Sequence, residues 1–407
     1  MMDGFFSKKE AHSTSMVGNK RVSCVSCGLF RNAESPKMAP YGGFKKDILI
    51  IDESPTPKDD ERGRPWSGAQ GRLLRKVLKD LGVDVDEDCE TIYAVRCLPT
   101  NKKGEPTKPL VSHCTACRTS VMKHIKARQP KLIIACGIIS VNSIIGHRWQ
   151  RDMGGINKWR GWIIPDQDFK CWVAPVFHPG QVLDADPVYK TIFKQDLRRA
   201  VDHVETPWPR HKKPVIEYIE DLSPLNDITG QVSIDYETTG LKPHAKGHRI
   251  VCASVATSEN HAYTFLLPKK KKDRQPFIDL LANPRIPKMA HNMKYEENWS
   301  VERLKQPVVG WEWDSMLATH LLDNRSGITS LKFQTYVNFG VVDYDSEISP
   351  YLAGKSKDGN STNKVEELLL DGRKTRLLLE YCALDTIYQY RLAEKQMQQI
   401  GYDHLPF

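Results

Sequence analysis

The sequence predicts an α/β fold in two successive units. Three observations carry this. Apolar runs of strand length alternate with helical patterns through the first 205 residues, as in a mostly parallel sheet covered on both faces. A Pro-rich, basic connection, Thr206-Pro207-Trp208-Pro209-Arg210-His211-Lys212-Lys213, then interrupts the pattern. Beyond it a second set of apolar strands and helices begins. At 407 residues the chain has room for two or three domains. The boundaries read as a flexible polar tail over 1–20, a first domain over 21–205, a linker over 206–213 and a second domain over 214–407.

In the first unit, Asp47-Ile48-Leu49-Ile50-Ile51 reads as a strand and Arg72 to Leu81 as a helix. Lys131-Leu132-Ile133-Ile134-Ala135 is a second strand, and Ile138 to Ile145 a second helix. In the second unit, Gln231-Val232-Ser233-Ile234 opens a strand that runs into Asp235-Tyr236-Glu237, and His261 to Leu267 forms another. Lys294 to Leu304 reads as a helix. So does Thr375 to Ile400, which is rich in long side chains and free of Pro and Gly.

The net charge of +9 suits a nucleic-acid partner. No apolar stretch approaches the ~20 residues of a membrane span. The first twenty residues are polar and lack a signal-peptide core. The expectation is a soluble, intracellular protein with no membrane partner. Eight of the ten cysteines precede residue 175, and in an intracellular chain they point away from disulfides. Cys252 and Cys382 sit in apolar patterns, as small core residues do. The run Lys269 to Lys272, with Arg274, follows a strand and is either a solvated turn or a contact for a DNA backbone.

The acids of the second unit carry its chemistry. In a strand, side chains at i and i+2 share a face, so Asp235 and Glu237 point the same way. In the long helix Tyr381 and Asp385 stack at i, i+4, and Glu296 falls in the first turn of its helix. Four clustered carboxylates repel one another unless cations hold them. Hard oxygen ligands suit Mg²⁺ or Mn²⁺, and a pair of such ions is a common apparatus for phosphodiester cleavage.

The ordered segments Asp235-Tyr236-Glu237, His291-Asn292-Met293-Lys294-Tyr295-Glu296 and Tyr381-Cys382-Ala383-Leu384-Asp385 resemble the 3′–5′ exonuclease domain of the DNA polymerase I family. That domain is ribonuclease H-like and belongs to the DEDD superfamily with a tyrosine in its third motif. Trp313-Asp314-Ser315-Met316-Leu317-Ala318, His320-Leu321-Leu322-Asp323 and Ser330-Leu331-Lys332-Phe333 also resemble phage members. The second motif departs from the family by ending in Glu296 rather than Asp, with Glu297 adjacent. The resemblance implies that Asp235, Glu237 and Asp385 bind a first Mg²⁺ or Mn²⁺. Asp235 would bridge to a second ion with Glu296 in its outer shell, and Tyr381 would orient the attacking water. It implies DNA, as single strands or frayed 3′ ends, for the substrate.

In the first unit, Cys24-Val25-Ser26-Cys27 forms a C-x-x-C hairpin, Cys97 follows 70 residues after Cys27, and Cys114 lies 17 further on with Cys117 three beyond it. Four thiolates make a structural zinc site or an iron–sulfur cluster. Cys24, Cys27, Cys114 and Cys117 give the paired spacing of a Zn²⁺ ribbon; Cys24, Cys27, Cys97 and Cys114 give one pair and two singles. The second set resembles family 4 uracil-DNA glycosylases, which carry a [4Fe–4S] cluster. Asp52-Glu53-Ser54-Pro55, Arg62-Gly63-Arg64-Pro65-Trp66-Ser67-Gly68-Ala69-Gln70-Gly71 and Val176-Phe177-His178-Pro179 resemble its other motifs.

That family's base pocket implies roles for Glu53, Trp66, Tyr93 and His178. Trp66 stands where the family has Phe. Tyr93 stands where it has the Asn that reads uracil, and tyrosine lacks the paired amide donor and acceptor. Asp52 and Thr56 replace first-motif glycines. The expectation is a glycosylase-like iron–sulfur domain used for DNA or partner binding, followed by an active 3′–5′ exonuclease. Two alternatives stay open: a bifunctional enzyme that also excises uracil, and a silent DNA-binding or polymerase-associated scaffold. Only 22 residues follow Asp385, too few for a polymerase domain. The chain is therefore expected to proofread in trans for a separate phage-type polymerase, in the host cytoplasm if phage-encoded, or to be the front of a longer product.

Overall fold

The computed structural model describes residues 16–17, 20–21, 23–149, 151–183, 185–342, 344–354 and 360–402. Much of the tail predicted over 1–20 lies outside the described residues. Within it, Met16–Val17 (β1) pairs antiparallel with Lys20–Arg21 (β2). The chain divides into two compact units, Met1–Pro209 with Val337–Gly340, and Arg210–Tyr336 with Val341–Phe407.

The sheet of the first unit contains Ile48–Asp52 (β3), Cys89–Tyr93 (β4), Leu132–Cys136 (β5), Ile164–Asp166 (β6) and Cys171–Val176 (β7). Its order is β4-β3-β5-β7-β6. The first four strands are parallel, and β6 runs antiparallel to β7. Every position of these strands is buried. Hence their sequences read as unbroken apolar runs rather than alternations. Burying each of Ile48, Leu49, Ile50 and Ile51, all at 0 % exposure, stabilises the fold by about 1.5–3 kcal/mol. Strand order reverses about β3, and in such sheets the crevice beyond the carboxyl ends of the strands is the place for a ligand. Asp52 closes β3 and Glu53 follows it, Tyr93 closes β4, and His178 lies just after β7.

Helix Ala69–Lys79 starts at the Gly68 cap, three residues before the predicted start at Arg72, and Gly82 at φ +78° turns the chain after it. Helix Ile138–Ile145 has its predicted span. The Cys24–Cys27 segment is one helical turn, not the predicted hairpin. Ser23 Oγ accepts from Ser26 N and Ser26 Oγ accepts from Ser23 N, a reciprocal cap that closes the turn locally.

The second unit has six strands: Val215–Tyr218 (β8), Val232–Thr238 (β9), Ile250–Ser258 (β10), His261–Leu266 (β11), Lys288–Ala290 (β12) and Trp311–Asp314 (β13). Their order is β13-β12-β9-β10-β11-β8. The β9-β10-β11 meander is antiparallel, while β12 and β13 add in parallel beside β9. This mixed arrangement is a ribonuclease H-like sheet. Helix Gly372–Ile400 packs across it, burying Leu378, Cys382, Ala383, Ile387 and Ala393. Helix Met293–Trp299 continues into a π-helical turn, Ser300–Leu304, where the sequence predicted one helix. Lys269 to Lys272 are exposed, and Arg274 donates back to Lys269 O within the same loop. No described helix is long and apolar enough to cross a membrane.

Candidate functional site

The acids converge through the strand and helix periods. Asp235 and Glu237 leave one face of β9, opposite Ser254 and Cys252 of β10. Helix Gly372–Ile400 covers that face. Its Cys382 Sγ lies 3.6 Å from Asp235 O and 3.7 Å from Asp235 Oδ2. One ligand atom from each of Asp235, Glu237 and Cys382 falls within 4.8 Å of the others. Three residues along the helix, Asp385 Oδ1 accepts a hydrogen bond from Tyr344 Oη at 2.6 Å and pairs with Lys332 Nζ.

Glu296 is 2 % exposed, and its Oε2 has no hydrogen-bond partner among the described residues. Adjacent Glu297 turns away: its Oε2 accepts from Val308 N at 3.1 Å and from Trp311 Nε1 at 2.9 Å. The structure thus separates two acids that the sequence leaves equivalent. Asp314 fixes the loop before Glu296. Its carboxylate accepts from Asn292 N and Met293 N, both at 3.0 Å, and also caps helix Ser315–Leu322 through Met316 N and Leu317 N. Asn292 takes the left-handed conformation, φ +73°, which Asn tolerates better than most residues.

The electrostatics follow from crowding. Withdrawal from water, then the charge of Asp385, pushes the Asp235 carboxyl up to about 8, against the pull of Lys332. Glu237 and Glu296 are raised by burial first and by Asp235 second. Burial, with Asp385 and Glu237 behind it, raises the Tyr381 phenol. Tyr381 therefore keeps its proton near neutrality and can donate. His291 is pushed down to about 4 by burial and is neutral at pH 7.

Carboxyls with raised pKa values hold protons that the unfolded chain has already lost. Between about pH 4 and 8 the folded state therefore binds more protons at Asp235, and its stability falls as pH rises. A cation must displace those protons, so its affinity rises over the same window. We expect protein in EDTA to melt lower at pH 8 than at pH 6, and Mn²⁺ to raise Tm more at pH 8. A Mn²⁺ stabilisation equal at both pH values in differential scanning fluorimetry would contradict this.

In the first unit, Trp66 and Tyr93 of the predicted base pocket are buried. Trp66 and Tyr93 are each 1 % exposed, whereas a base stacks only on a ring face that a pocket leaves open. Trp66 Nε1 donates to Thr91 Oγ1 at 2.9 Å, and Trp66 O accepts from Arg75 at 2.7 Å. Gly71 permits this: a Cβ there would lie 2.1 Å from Trp66 O. Glu53 Oε1 accepts from Ile139 N at 3.2 Å, and Gly137 makes way for it, since a Cβ there would lie 2.3 Å from Glu53 Oε1. Burial raises the Glu53 carboxyl. His178 Nε2 sits 3.1 Å from Asp52 Oδ1, and Asp52 is fully buried. Burial pulls His178 down, but Asp52, with Glu53 and Asp59 behind it, raises the imidazole to about 8. Thr56 caps helix Pro57–Arg62. Thr56 thus has a local partner, whereas Asp52 has only the ion-pair contact with His178, and the Tyr93 hydroxyl is buried without a hydrogen-bond partner among the described residues.

The thiols assemble differently from either predicted ligand set. Cys24, Cys27, Cys97 and Cys117 line one cavity of about 150 Å³, with Phe30, Lys37 and Arg96 among its walls. Cys114 does not line it. Its Sγ turns to helix Ile138–Ile145, 3.7 Å from Ile139 O and 3.6 Å from Asn142 Oδ1. The structure places at the cavity not Cys114 but Cys117, one helical turn later in Val111–Arg128. Lys37 N donates to Cys97 Sγ at 3.2 Å. Burial raises the Cys117 thiol to about 11, and Cys27, Cys97 and Cys24 push it the same way. These four donors fit a cationic group that takes thiolates.

Comparison with known proteins agrees with this division. Residues 39–198 match the uracil DNA glycosylase superfamily, and residues 212–400 match a 3′-5′ exonuclease family found in DNA polymerases. The type-4 uracil-DNA glycosylase of Sulfurisphaera tokodaii is 27 % identical over 210 residues, 51 % of this chain and 90 % of that protein. A DNA polymerase of Bacillus phage SP01 is 23 % identical over 402 residues, 89 % of this chain and 41 % of that polymerase. The chain thus spans less than half the length of the phage relative. The solved structure of Brucella melitensis NrnC, at 20 % identity, covers 46 % of this chain and 84 % of its own, with a TM-score of 0.34. The first half is a uracil-DNA glycosylase superfamily domain, and the second is a 3′–5′ exonuclease domain similar to that of DNA polymerase I.

Proposed function

We propose that this chain, a glycosylase-superfamily domain joined to a 3′–5′ exonuclease domain, degrades DNA from its 3′ end with two Mg²⁺ or Mn²⁺ ions and does not excise uracil. The carrying observation is the placement of Asp235 and Glu237 on one face of β9, under the helix that bears Tyr381 and Asp385. Asp235, Glu237 and Asp385 would hold the first cation, and Asp235 would hold the second with Glu296 in its outer shell. The cations, when bound, supply charge stabilisation for the attacking and leaving oxygens. Tyr381, kept protonated by its surroundings, positions the attacking water. The buried apolar wall of Cys252, Leu378 and Cys382 keeps bulk water from the acids.

The first domain would act as a DNA-binding or partner-docking module. Its four cavity thiols, Cys24, Cys27, Cys97 and Cys117, are the proposed ligands of one [4Fe–4S] cluster. That cluster would tie the Cys24–Cys27 turn to the segment after β4 and to helix Val111–Arg128. The buried Trp66 and Tyr93 and the Asp52–His178 pair argue against uracil release. The likeness to a phage DNA polymerase across most of this chain supports a place in replication. There the chain would proofread in trans for a separate polymerase, or in cis if it is part of a longer product.

The test uses end-labelled single strands of DNA, with and without uracil, and RNA of the same sequence, in Mg²⁺ or EDTA. The expected result is stepwise shortening of DNA from the 3′ end in Mg²⁺ alone, faster than RNA, with no alkali-sensitive breaks at uracil when Asp235→Ala protein is used. Faster loss of RNA would make the enzyme a ribonuclease. Efficient abasic-site formation that His178→Ala removes would restore the bifunctional reading.

A further inference from the structure

Lys332 has no part in the mechanism above, yet it reaches the centre of the site. It lies in helix Leu331–Phe339, and its ammonium pairs with Asp385 Oδ1. It also donates to Tyr344 Oη at 3.0 Å. The charge sits 4.1 Å from the Tyr344 ring centroid and 4.2 Å from that of Tyr381. The side chains of Lys332 and Asp385 are 12 % and 8 % exposed. Water therefore screens the pair weakly, and two ring faces favour the cation between them. Tyr344 Oη donates to the same carboxylate oxygen at 2.6 Å. Asp385 is thus held from one side by a charged donor and a neutral one, and Lys332 also draws down the carboxyls of Asp235 and Glu237.

We infer that Lys332 is a positioning residue of the nuclease site, a caged ammonium that orients Asp385 and competes with divalent cations for its carboxylate. The inference rests on the nuclease reading, because it takes Asp385 as a metal ligand. Two consequences have opposite signs. Lys332 offsets repulsion among Asp235, Glu237, Glu296 and Asp385, so losing it weakens the fold when chelator removes the ions. The same positive charge repels a divalent ion, so losing it strengthens ion binding. A lysine that only packs the core would move neither property this way. It would lower stability in both conditions and leave affinity unchanged or weaker. The built-in competition makes ion binding readily reversible, and it sets the ion concentration at which the site becomes active.

The experiment measures Mn²⁺ binding by isothermal titration calorimetry, and Tm in EDTA, for the full chain and for Lys332→Met, Lys332→Gln and Tyr344→Phe. Methionine keeps the unbranched stem without the charge. Glutamine keeps a donor and guards against a packing defect in the methionine variant. Both should bind Mn²⁺ at least about tenfold more tightly than the parent, since a unit charge within a few ångströms of a divalent ion interacts strongly at low screening. Both should melt lower in EDTA. Tyr344→Phe removes a neutral hydrogen bond from the same oxygen and should change Mn²⁺ affinity by less than about threefold. Unchanged or weaker Mn²⁺ binding in both folded lysine variants overturns the inference. The nuclease reading survives that outcome if parent binding is lost in Asp385→Asn. A parent that binds no Mn²⁺ overturns both.

Discussion

Asp235→Asn or Asp385→Asn is expected to slow metal-dependent release of 3′-terminal nucleotides by at least about 10³-fold, and Asp235→Asn to raise Tm in EDTA above about pH 8, where the parent carboxylate is charged. The loss follows from the division of labour in phosphodiester cleavage. The side chains perform little bond chemistry themselves, and the reaction depends on cations held in line with the attacking and leaving oxygens. Asparagine keeps the shape of the carboxylate and removes the charge that binds the ion. A factor of 10³ corresponds to about 4 kcal/mol of lost transition-state stabilisation, a reasonable cost for misplacing one ion. The gain in stability follows from the crowding that raises the Asp235 carboxyl to about 8: removing one of several mutually repelling acids relieves the rest. At Asp385 no gain is expected, because the substitution breaks the pair with Lys332 and leaves that buried ammonium without its carboxylate. For Asp235→Asn, opposite movements of activity and stability exclude misfolding as the reason for the loss. Tyr381→Phe should cost less, about 10–10²-fold, because it removes one contact to water and leaves the acids in place. An Asp235→Asn/Glu237→Asn protein that digests DNA at the parent rate would show that the chemistry lies elsewhere.

The acids were legible because each lies on an element whose period is visible in the sequence. The alternation that ends in Asp235-Tyr236-Glu237 fixes a shared face, and i, i+4 spacing does the same for Tyr381 and Asp385. The parallel sheet of the first unit was legible for a similar reason: strands buried on both faces, such as Ile48–Asp52, can be built only from apolar runs. Residues that act through distant contacts were not legible. Lys332 and Tyr344 meet Asp385 across sequence separations of 53 and 41 residues, and nothing local marks either as its partner. Asp314 looks like an ordinary helix cap, although it also holds the Asn292–Met293 backbone. Glu296 and Glu297 are interchangeable by composition, and only the Val308 and Trp311 donors remove Glu297 from the site.

Which of Cys114 and Cys117 stands at the cavity was not legible, for a different reason. Helix Val111–Arg128 buries Cys114, Thr115, Val121 and Ile125, and Cys114, Val121 and Ile125 share one narrow face that Cys117 flanks. Counting residues from Cys97 could not say which of the two thiols faces Cys24 and Cys27. The loop before the helix sets its phase. Thr100 bridges Pro106, and Asn101 N donates to Glu105 O, so part of the segment folds back on itself and does not advance toward the helix.

The placement of Cys117 at the cavity has the sharpest analytical consequence. Protein purified without oxygen should be brown, with about four irons per chain, and Cys117→Ser should abolish both colour and iron. Cys114→Ser should retain them. A serine at Cys117 loses the thiolate that would close the cluster on the helix side, and the remaining Cys24, Cys27 and Cys97 offer three ligands where four are required. A serine at Cys114 changes only a buried thiol packed against Ile139 and Asn142. Its cost is that of placing a hydroxyl in a partly satisfied site, about 1–3 kcal/mol of stability. Cys97→Ser should lose iron as Cys117→Ser does, which separates the cluster from a Zn²⁺ ribbon built on Cys24, Cys27, Cys114 and Cys117. Iron retained in Cys117→Ser but lost in Cys114→Ser would restore the ligand set implied by the family resemblance, Cys24, Cys27, Cys97 and Cys114. Colourless protein with one zinc per chain would sink the cluster altogether. The comparison also tests what the metal does for the fold. Cys24 and Cys27 lie on a four-residue turn with no buried residue of its own, too short to hold its place by packing alone. If the cavity thiols share a cluster, its loss should expose that turn to protease while the β3-β4-β5-β7 sheet stays intact, because none of the four ligands belongs to a strand of that sheet.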